Sequence, residues 1–241
     1  LENYRRLFES SDFYSIVVNT LVFTVGSVVI QVSLGLGLAV LLNQPLKGRN
    51  VVRSMVLLPW VISGPVVAFM FQWLFSGDRT GIINYILMLI GLSPIRWLGT
   101  EVTAMTTMIL AFAWKNTAFS MVLLLAALQS VPVELQEAAA IDGASARQNF
   151  LHITLPLIAA PLMVTAVMVT IQALGEINIP FVLTQGGPGR STMLLSLMMW
   201  EAGFNRYMTG YASGIAAFLF LITMVFVSLY IFCLLYTSPS P

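Results

Sequence analysis

Charge is scarce in this chain. Only 9% of its 241 residues are Asp, Glu, Lys or Arg, where a water-soluble domain carries about a quarter. That shortfall excludes an ordinary soluble globule. Cysteine is nearly absent: Cys233 stands alone inside an apolar run, which rules out an internal disulfide and predicts a packed thiol. Histidine is equally sparse, and His152 has no neighbouring cluster of ligating residues, so a loop residue is expected there and no metal site. No G-x-x-x-x-G-K-[ST] phosphate loop occurs, so this chain is not expected to hydrolyse ATP. Nucleophile–base pairs and paired carboxylates are also missing, which argues against an enzyme. The net charge of +1 argues neither for nor against nucleic acid, and no nucleic-acid partner is expected of this chain. The chain opens on Leu1 rather than Met and shows no signal-peptide pattern, from which we expect an N-terminal truncation.

What the chain has instead is hydrophobicity, at 58% of residues. Several apolar runs exceed the roughly 18–20 residues that cross a bilayer as helix, and none shows the short alternating pattern of a membrane β-barrel. The fold class is therefore all-α, a polytopic transmembrane helical bundle. About five spans are expected, over residues 15–42, 54–75, 103–128, 157–178 and 211–234 of a single transmembrane domain covering 1–241. The shorter runs Gly81–Leu92 and Met193–Phe204 suit interfacial or re-entrant helices. Lys47, Arg49 and Arg53 follow the first span with no acid beside them. The positive-inside rule puts that loop in the cytoplasm, and alternation brings the 129–156 segment to the same side. Residues 76–102 and 179–210 then face outward, as does the N-terminal end. Arg5 and Arg6 lie outside on this scheme, softened by Glu2, Glu9 and Asp12.

The 129–156 segment is polar and lies between two apolar runs. Ser130 is expected to cap a helix with Pro132 in its first turn, where Glu134 and Glu137 favour the positive end of the dipole. Ala138, Ala139 and Ala140 continue it, and Asp142–Gly143 ends it through a left-handed glycine. A second short helix is expected over 144–153, before Pro156 leads into the next span. The result is a helix-turn-helix with small side chains at its tip. An ordinary hairpin between spans remains the alternative to a docking element.

Polar groups within spans are costly and therefore candidates for function. Trp114, Lys115 and Asn116 form one such set, and Gln172, Glu176 and Asn178 another. Amide side chains bond sugar hydroxyls, and Trp stacks on an apolar sugar face. A Lys115–Glu176 ion pair is the alternative. Pro59, Pro65, Pro156 and Pro161 suit kinks that open a cavity, or breaks at span ends. Gly35/Gly37 and Gly210-x-x-x-Gly214 suit close helix packing. The run Gly186-Gly187-Pro188-Gly189 reads as a tight outward turn. A secondary transporter would carry repeats and several intramembrane acids; Glu176 is the single candidate. A channel would carry a filter-like run, and none stands out.

Glu137-Ala138-Ala139, then Asp142-Gly143-Ala144, Phe150, and Ile153-x-Leu155-Pro156 together resemble the E-A-A loop of permease subunits of binding-protein-dependent ABC importers. Leu183-Thr184-Gln185-Gly186-Gly187-Pro188-Gly189 with Thr192 resembles the LTxGGPxxxT pattern of the carbohydrate branch, on the side of the maltose-type first permease and the sugar/glycerol-3-phosphate permeases. Asn19-Thr20, Leu58-Pro59-Trp60, Gly81-Ile82-Ile83-Asn84 and Gly210-Tyr211-Ala212-Ser213 extend the resemblance over nearly the whole chain. It implies a sugar permease of the bacterial cytoplasmic membrane, paired with a second permease and with an ATPase dimer. ATP and Mg would reside on the ATPase, with no cofactor on this chain. A solute-binding protein outside would deliver the sugar. Glu137, Ala138, Ala139, Asp142, Gly143, Ala144 and Phe150 would dock the ATPase. Glu137 would meet a basic residue there, and Gly143 would aim the docking helix. Gly186, Gly187, Pro188 and Arg190 would lie near the binding protein, where Arg190 and Arg206 would meet its acids. The alternatives are a glycerol phosphate or polyol permease and an ion-coupled secondary transporter. Members of the branch usually start with a further span, which is absent before Leu1. The tail 235–241 lacks the usual closing Lys or Arg and resembles translated adapter sequence, so a non-native end is expected.

Overall fold

The computed structural model describes residues 2–45, 47–78 and 80–237, with side chains as far as 232. Every regular element among them is helical. Most of the 235–241 tail and the Cys233 thiol lie outside the described residues and side chains. Three helices are long and apolar enough to cross a membrane: α2 (Phe13–Asn43), α6 (Glu101–Gln129) and α13 (Thr209–Thr237). Two bent pairs raise the number of spans to five if each counts as one. The all-α transmembrane bundle is therefore present.

α6 is the central post. Of its most apolar window, 67% is buried inside the protein, against 28% for α2 and 6% for α13. α2 packs along α6 more extensively than any other described pair. Lipid removes most of the hydrophobic drive for helix association, so close packing and hydrogen bonds must supply it. Both are present. A Cβ on Gly35 would lie 2.5 Å from Ser120 Cβ, so only glycine allows this backbone approach. One turn away, the buried Gln31 amide donates to the Asn116 carbonyl at 3.0 Å and to Ser120 Oγ at 3.1 Å. Gly37 instead faces open space, so half of the expected glycine pair makes the contact. Gly210 and Gly214 take their place in the same chain: they meet Asn3 of α1 (Glu2–Glu9).

The bends have identifiable causes. The expected span 54–75 is two helices, α3 (Arg49–Val61) and α4 (Gly64–Leu74), meeting at 100°. Pro65 sits in the first turn of α4. It has no N–H for the carbonyl four residues back, and its ring crowds that carbonyl, so the helix cannot run through. The expected span 157–178 is likewise interrupted. The segment Ala146–Leu157, which closes on α9 (Leu155–Leu157), meets α10 (Ala159–Leu174) at 67°, with Pro161 in the first turn after the break and a π-turn over Phe150–Thr154 before it. α10 stops at Leu174, and residues 175–177 leave the helix before the short α11 (Asn178–Leu183). The two shorter runs form α5 (Ile82–Leu89) and α12 (Leu195–Trp200), the latter continued by a π-turn over Glu201–Asn205.

The polar insert folds as α7 (Val133–Ile141), a turn, and α8 (Ala146–Asn149). Its entry differs from expectation. Ser130 ends α6, donating its hydroxyl to the Ala127 carbonyl at 2.8 Å, while Pro132 itself takes the cap position of α7. Pro132 has the extended ψ of a cap residue and so cannot also be the first helical residue. The second helix is one turn long and passes into the π-turn, so it does not run uniformly over 144–153.

Candidate functional site

The turn between α7 and α8 is built by backbone chemistry. Gly143 has φ +81°, in the left-handed region. Its N–H reaches the Ala140 carbonyl at 3.1 Å, and the Ala144 N–H reaches the Ala139 carbonyl at 2.9 Å. Those two bonds are the Schellman closure of a helix end. Ser145 then caps α8: its Oγ accepts from the Gln148 N–H, and the Gln148 side chain accepts from the Ser145 N–H at 2.9 Å. This reciprocal capping box was legible as S-x-x-Q spacing but had not been drawn from it. The Asn149 amide donates to the Gln136 carbonyl at 3.3 Å, tying α8 back against α7. Glu137, Ala138, Asp142 and Gly143 are exposed, Ala144 and Phe150 half-buried, and Ala139 buried. Between the turn and the π-turn lies a concavity of about 370 Å³, bordered by Asp142, Gly143, Gln148, Asn149 and His152. His152 belongs to this surface, with Nδ1 3.0 Å from the Gln148 carbonyl.

The six intramembrane candidates do not form one cluster. Trp114 points into an apolar cavity and packs on Phe71, ring centroids 5.8 Å apart. Asn116 is buried, and its amide donates to the Phe112 carbonyl of its own helix at 3.0 Å. Three consecutive residues of a helix point about 100° apart, which is why Lys115 does not accompany them. Lys115 is half-buried, and it makes no ion pair with Glu176 within 4 Å among the described residues. The ion pair weighed as the alternative is thus not formed; Glu176 Oε1 instead accepts from the Ile179 N–H at 3.0 Å, in the first turn of α11. Asn178 packs over Gly64, where a Cβ would come within 2.9 Å of Asn178 Cβ. Gln172 is half-buried on α10. Lys115, Gln172, Glu176 and Asn178 therefore belong to the α6, α10 and α11 side.

The glycine-rich loop is locked by residues far away in sequence. Thr192 is fully buried, with Oγ1 2.7 Å from both Thr184 Oγ1 and the Gly187 carbonyl. Gly186 is left-handed and the Gly187–Pro188 peptide is cis. Arg190 is left-handed too, at φ +74°, an uncommon conformation for a non-glycine residue. Its carbonyl is held by the Asn19 amide at 3.1 Å and its guanidinium by Asp12 at 2.9 Å. Arg190 is thus committed to an internal pair, with 40% of its side chain still exposed. Arg206 similarly meets Glu201 at 3.5 Å. Asn84, fully buried, staples the 76–97 loop: its amide nitrogen donates to the Ser76 and Ile95 carbonyls at 3.0 Å, and its oxygen accepts from Ile95 N–H and Trp97 Nε1, also at 3.0 Å.

The class of this broken-helix membrane bundle, a transport permease, is given by its relatives. The family of binding-protein-dependent transport system inner membrane components matches over residues 31–238, and the chain belongs to that family. It is 39% identical over 231 residues to the trehalose/maltose transport system permease protein MalF of Thermococcus litoralis, covering 96% of this chain and 78% of that one. It is 34% identical over 230 residues to the arabinooligosaccharides transport system permease protein AraP of Bacillus subtilis, covering 93% and 72%. A chain of the crystal structure of a bacterial alginate ABC transporter, in complex with an alginate pentasaccharide-bound periplasmic protein, superimposes with a TM-score of 0.82. Its identity is 26%, over 95% of this chain and 81% of that one. The permease reading therefore stands and the ion-coupled secondary transporter does not.

Proposed function

We propose that this chain is the membrane-embedded permease subunit of an ATP-driven sugar importer in a bacterial cytoplasmic membrane. It works with a second permease, an ATPase dimer that carries ATP and Mg, and an extracytoplasmic solute-binding protein. The observation that carries this reading is the α7–α8 turn: an exposed, small-residue tip, rigidly capped at both helices, standing between membrane segments. A rigid tip transmits displacement, whereas a floppy loop would absorb it. ATPase closure would push on this tip and rock the bundle around α6. The surface comprises Glu137, Ala138, Asp142, Gly143, Ala144 and Phe150, with the concavity beside His152 as a receptor for a partner side chain. Sugar as cargo is supported by the relatives, whose names and titles cite trehalose/maltose, arabinooligosaccharides and alginate.

In this scheme the sugar passes Lys115, Gln172, Glu176 and Asn178, carried by α6, α10 and the segment that opens α11. Trp114 and Asn116 shape the walls instead, one in the apolar cavity and one against α2. The loop carrying Gly186, Gly187, Pro188 and Arg190 lies near the binding protein, and the Asp12–Arg190 pair holds it in a fixed pose for that contact. The test is a thermal-shift screen of the binding protein encoded beside this gene, against oligosaccharides, polyols and glycerol phosphates. A specific ligand raises the unfolding temperature by mass action. Stabilisation by a saccharide supports the sugar reading; stabilisation by a phosphate ester alone overturns it.

A further inference from the structure

One cavity lies apart from the α7–α8 surface and is almost wholly apolar. It holds about 850 Å³ between α2, α3, α4 and α6, and its walls include Leu34, Met55, Pro59, Phe71, Leu74 and Trp114. Thr117 is among the few polar residues there, and its hydroxyl is used up on the Ala113 carbonyl at 2.6 Å. Nothing in this wall suits a sugar, which needs partners for its hydroxyls. An alkyl chain fits it.

One end of the cavity is different. α3 lines it with Val52, Met55, Val56 and Pro59, which recur at i, i+3, i+4 and i+7 and so share one helical face. Arg49 and Arg53 continue that stripe by the same spacing, three residues before Val52 and three before Val56. Lys47 lies just ahead of them. None of the three makes an ion pair among the described residues. The Nε of Arg53 is buried with no hydrogen-bond partner, a costly state for a charged donor. The helix that lines the trough thus carries Arg49 and Arg53 at the spacing of the lining face, with Arg53 Nε lacking an acceptor.

We propose that this trough binds one anionic phospholipid, with an acyl chain along α3 and its phosphate on Arg49 and Arg53. Basic pockets between transmembrane helices recognise such head groups, and the charge bias places this rim on the cytoplasmic side, where anionic lipid is met. The lipid would fill the angle between α3 and α4 and brace the bend. This assignment goes beyond the transport reading and does not depend on which solute is carried.

The test is native mass spectrometry of the detergent-purified, assembled transporter, exchanged with phosphatidylglycerol or phosphatidylcholine of equal chain length. We expect one phosphatidylglycerol retained per copy of this chain, preferred roughly thirtyfold over phosphatidylcholine given about 1 kcal/mol for each of the two arginines. Arg49→Gln with Arg53→Gln should erase the preference while a lipid adduct remains. Val56→Trp, which fills the trough, should remove the adduct itself. Equal retention of both lipids, no retention in the assembled complex because a partner helix fills the trough, or complete displacement by inorganic phosphate would each overturn the proposal. The arginine variant alters only the rim and so decides the matter even if Val56→Trp does not fold.

Discussion

Gly143 offers a perturbation whose magnitude follows from geometry. Its φ is +81° and a Cβ built there meets nothing within 4 Å. A side chain at this position therefore costs backbone energy and no clash within the chain. An L-residue in the left-handed region costs about 1–2 kcal/mol, roughly a fivefold to thirtyfold loss in the population of the turn, and Asn tolerates the region best. Gly143→Asn should then resemble the wild type, Gly143→Ala should lose about 1–2 kcal/mol, and Gly143→Val should lose more. Gly143→Pro should be worst, because it fixes φ near −65° and deletes the N–H that bonds the Ala140 carbonyl at 3.1 Å. The assay is co-purification of the ATPase with each variant from membranes, with hydrogen exchange at Gly143 and Ala144 reporting the turn itself. All four variants should insert normally. If Gly143→Asn fails as badly as Gly143→Pro, or if Gly143→Pro binds the ATPase normally, the reasoning is wrong.

Asn84→Ala would orphan the Ile95 N–H and Trp97 Nε1. It should cost roughly 2–4 kcal/mol, read as a lower unfolding midpoint by Trp fluorescence; an unchanged midpoint would count against the staple. Gly35→Ala drives a Cβ to 2.5 Å from Ser120 Cβ and should destabilise by about 1–3 kcal/mol as overpacking, with Ser120→Gly partly restoring the stability. Asp12→Ala and Arg190→Ala should each cost about 0.2–1 kcal/mol, the range for a partly exposed pair, and the double variant should cost no more than either; additive losses would show that the pair is not coupled. The Asp78 carboxyl is held below its usual range by the Thr80 hydroxyl, then by the Ser76 hydroxyl and the Thr80 N–H. Its folded pKa is depressed, so its contribution is present above the unfolded value and fades as pH falls through the folded one. Protease sensitivity of the 76–81 loop should accordingly stay flat from neutral pH to mildly acidic pH and rise only below the carboxylate range, and Asp78→Asn should abolish that rise.

Much of the bundle was legible because lipid imposes long apolar runs, and α2, α6 and α13 come directly from them. The prolines marked as kink sites also told, since Pro65 and Pro161 stand at the two bends and Pro59 lines the cavity. The order of burial was not legible: α2 and α13 read as apolar as α6, and only assembly shows which helix is surrounded. Ser130 was misplaced for a local reason. A serine between two helices can bond forward as a cap or back to a carbonyl three residues earlier, and the choice depends on the path of the chain. The intramembrane polar set was found by composition, but its grouping depends on helix azimuth. Of the adjacent residues 114–116, Trp114 enters the cavity, Lys115 is half-buried on another azimuth and Asn116 meets α2, while Glu176 spends its carboxylate on the first turn of α11. Conversely, several residues recognised by resemblance are staples: Asn19 holds the Arg190 carbonyl, Thr20 accepts from the Leu195 N–H, Asn84 knots its loop, and Thr184 pairs with Thr192.

The most direct test of the central claim is uptake in proteoliposomes holding this chain, its partner permease and the ATPase, with the binding protein outside and its labelled sugar as cargo. The account predicts accumulation that requires both enclosed ATP and the binding protein, and that is lost in Gly143→Pro although the protein is inserted. Uptake that continues without ATP or the ATPase and follows an imposed ion gradient would contradict it.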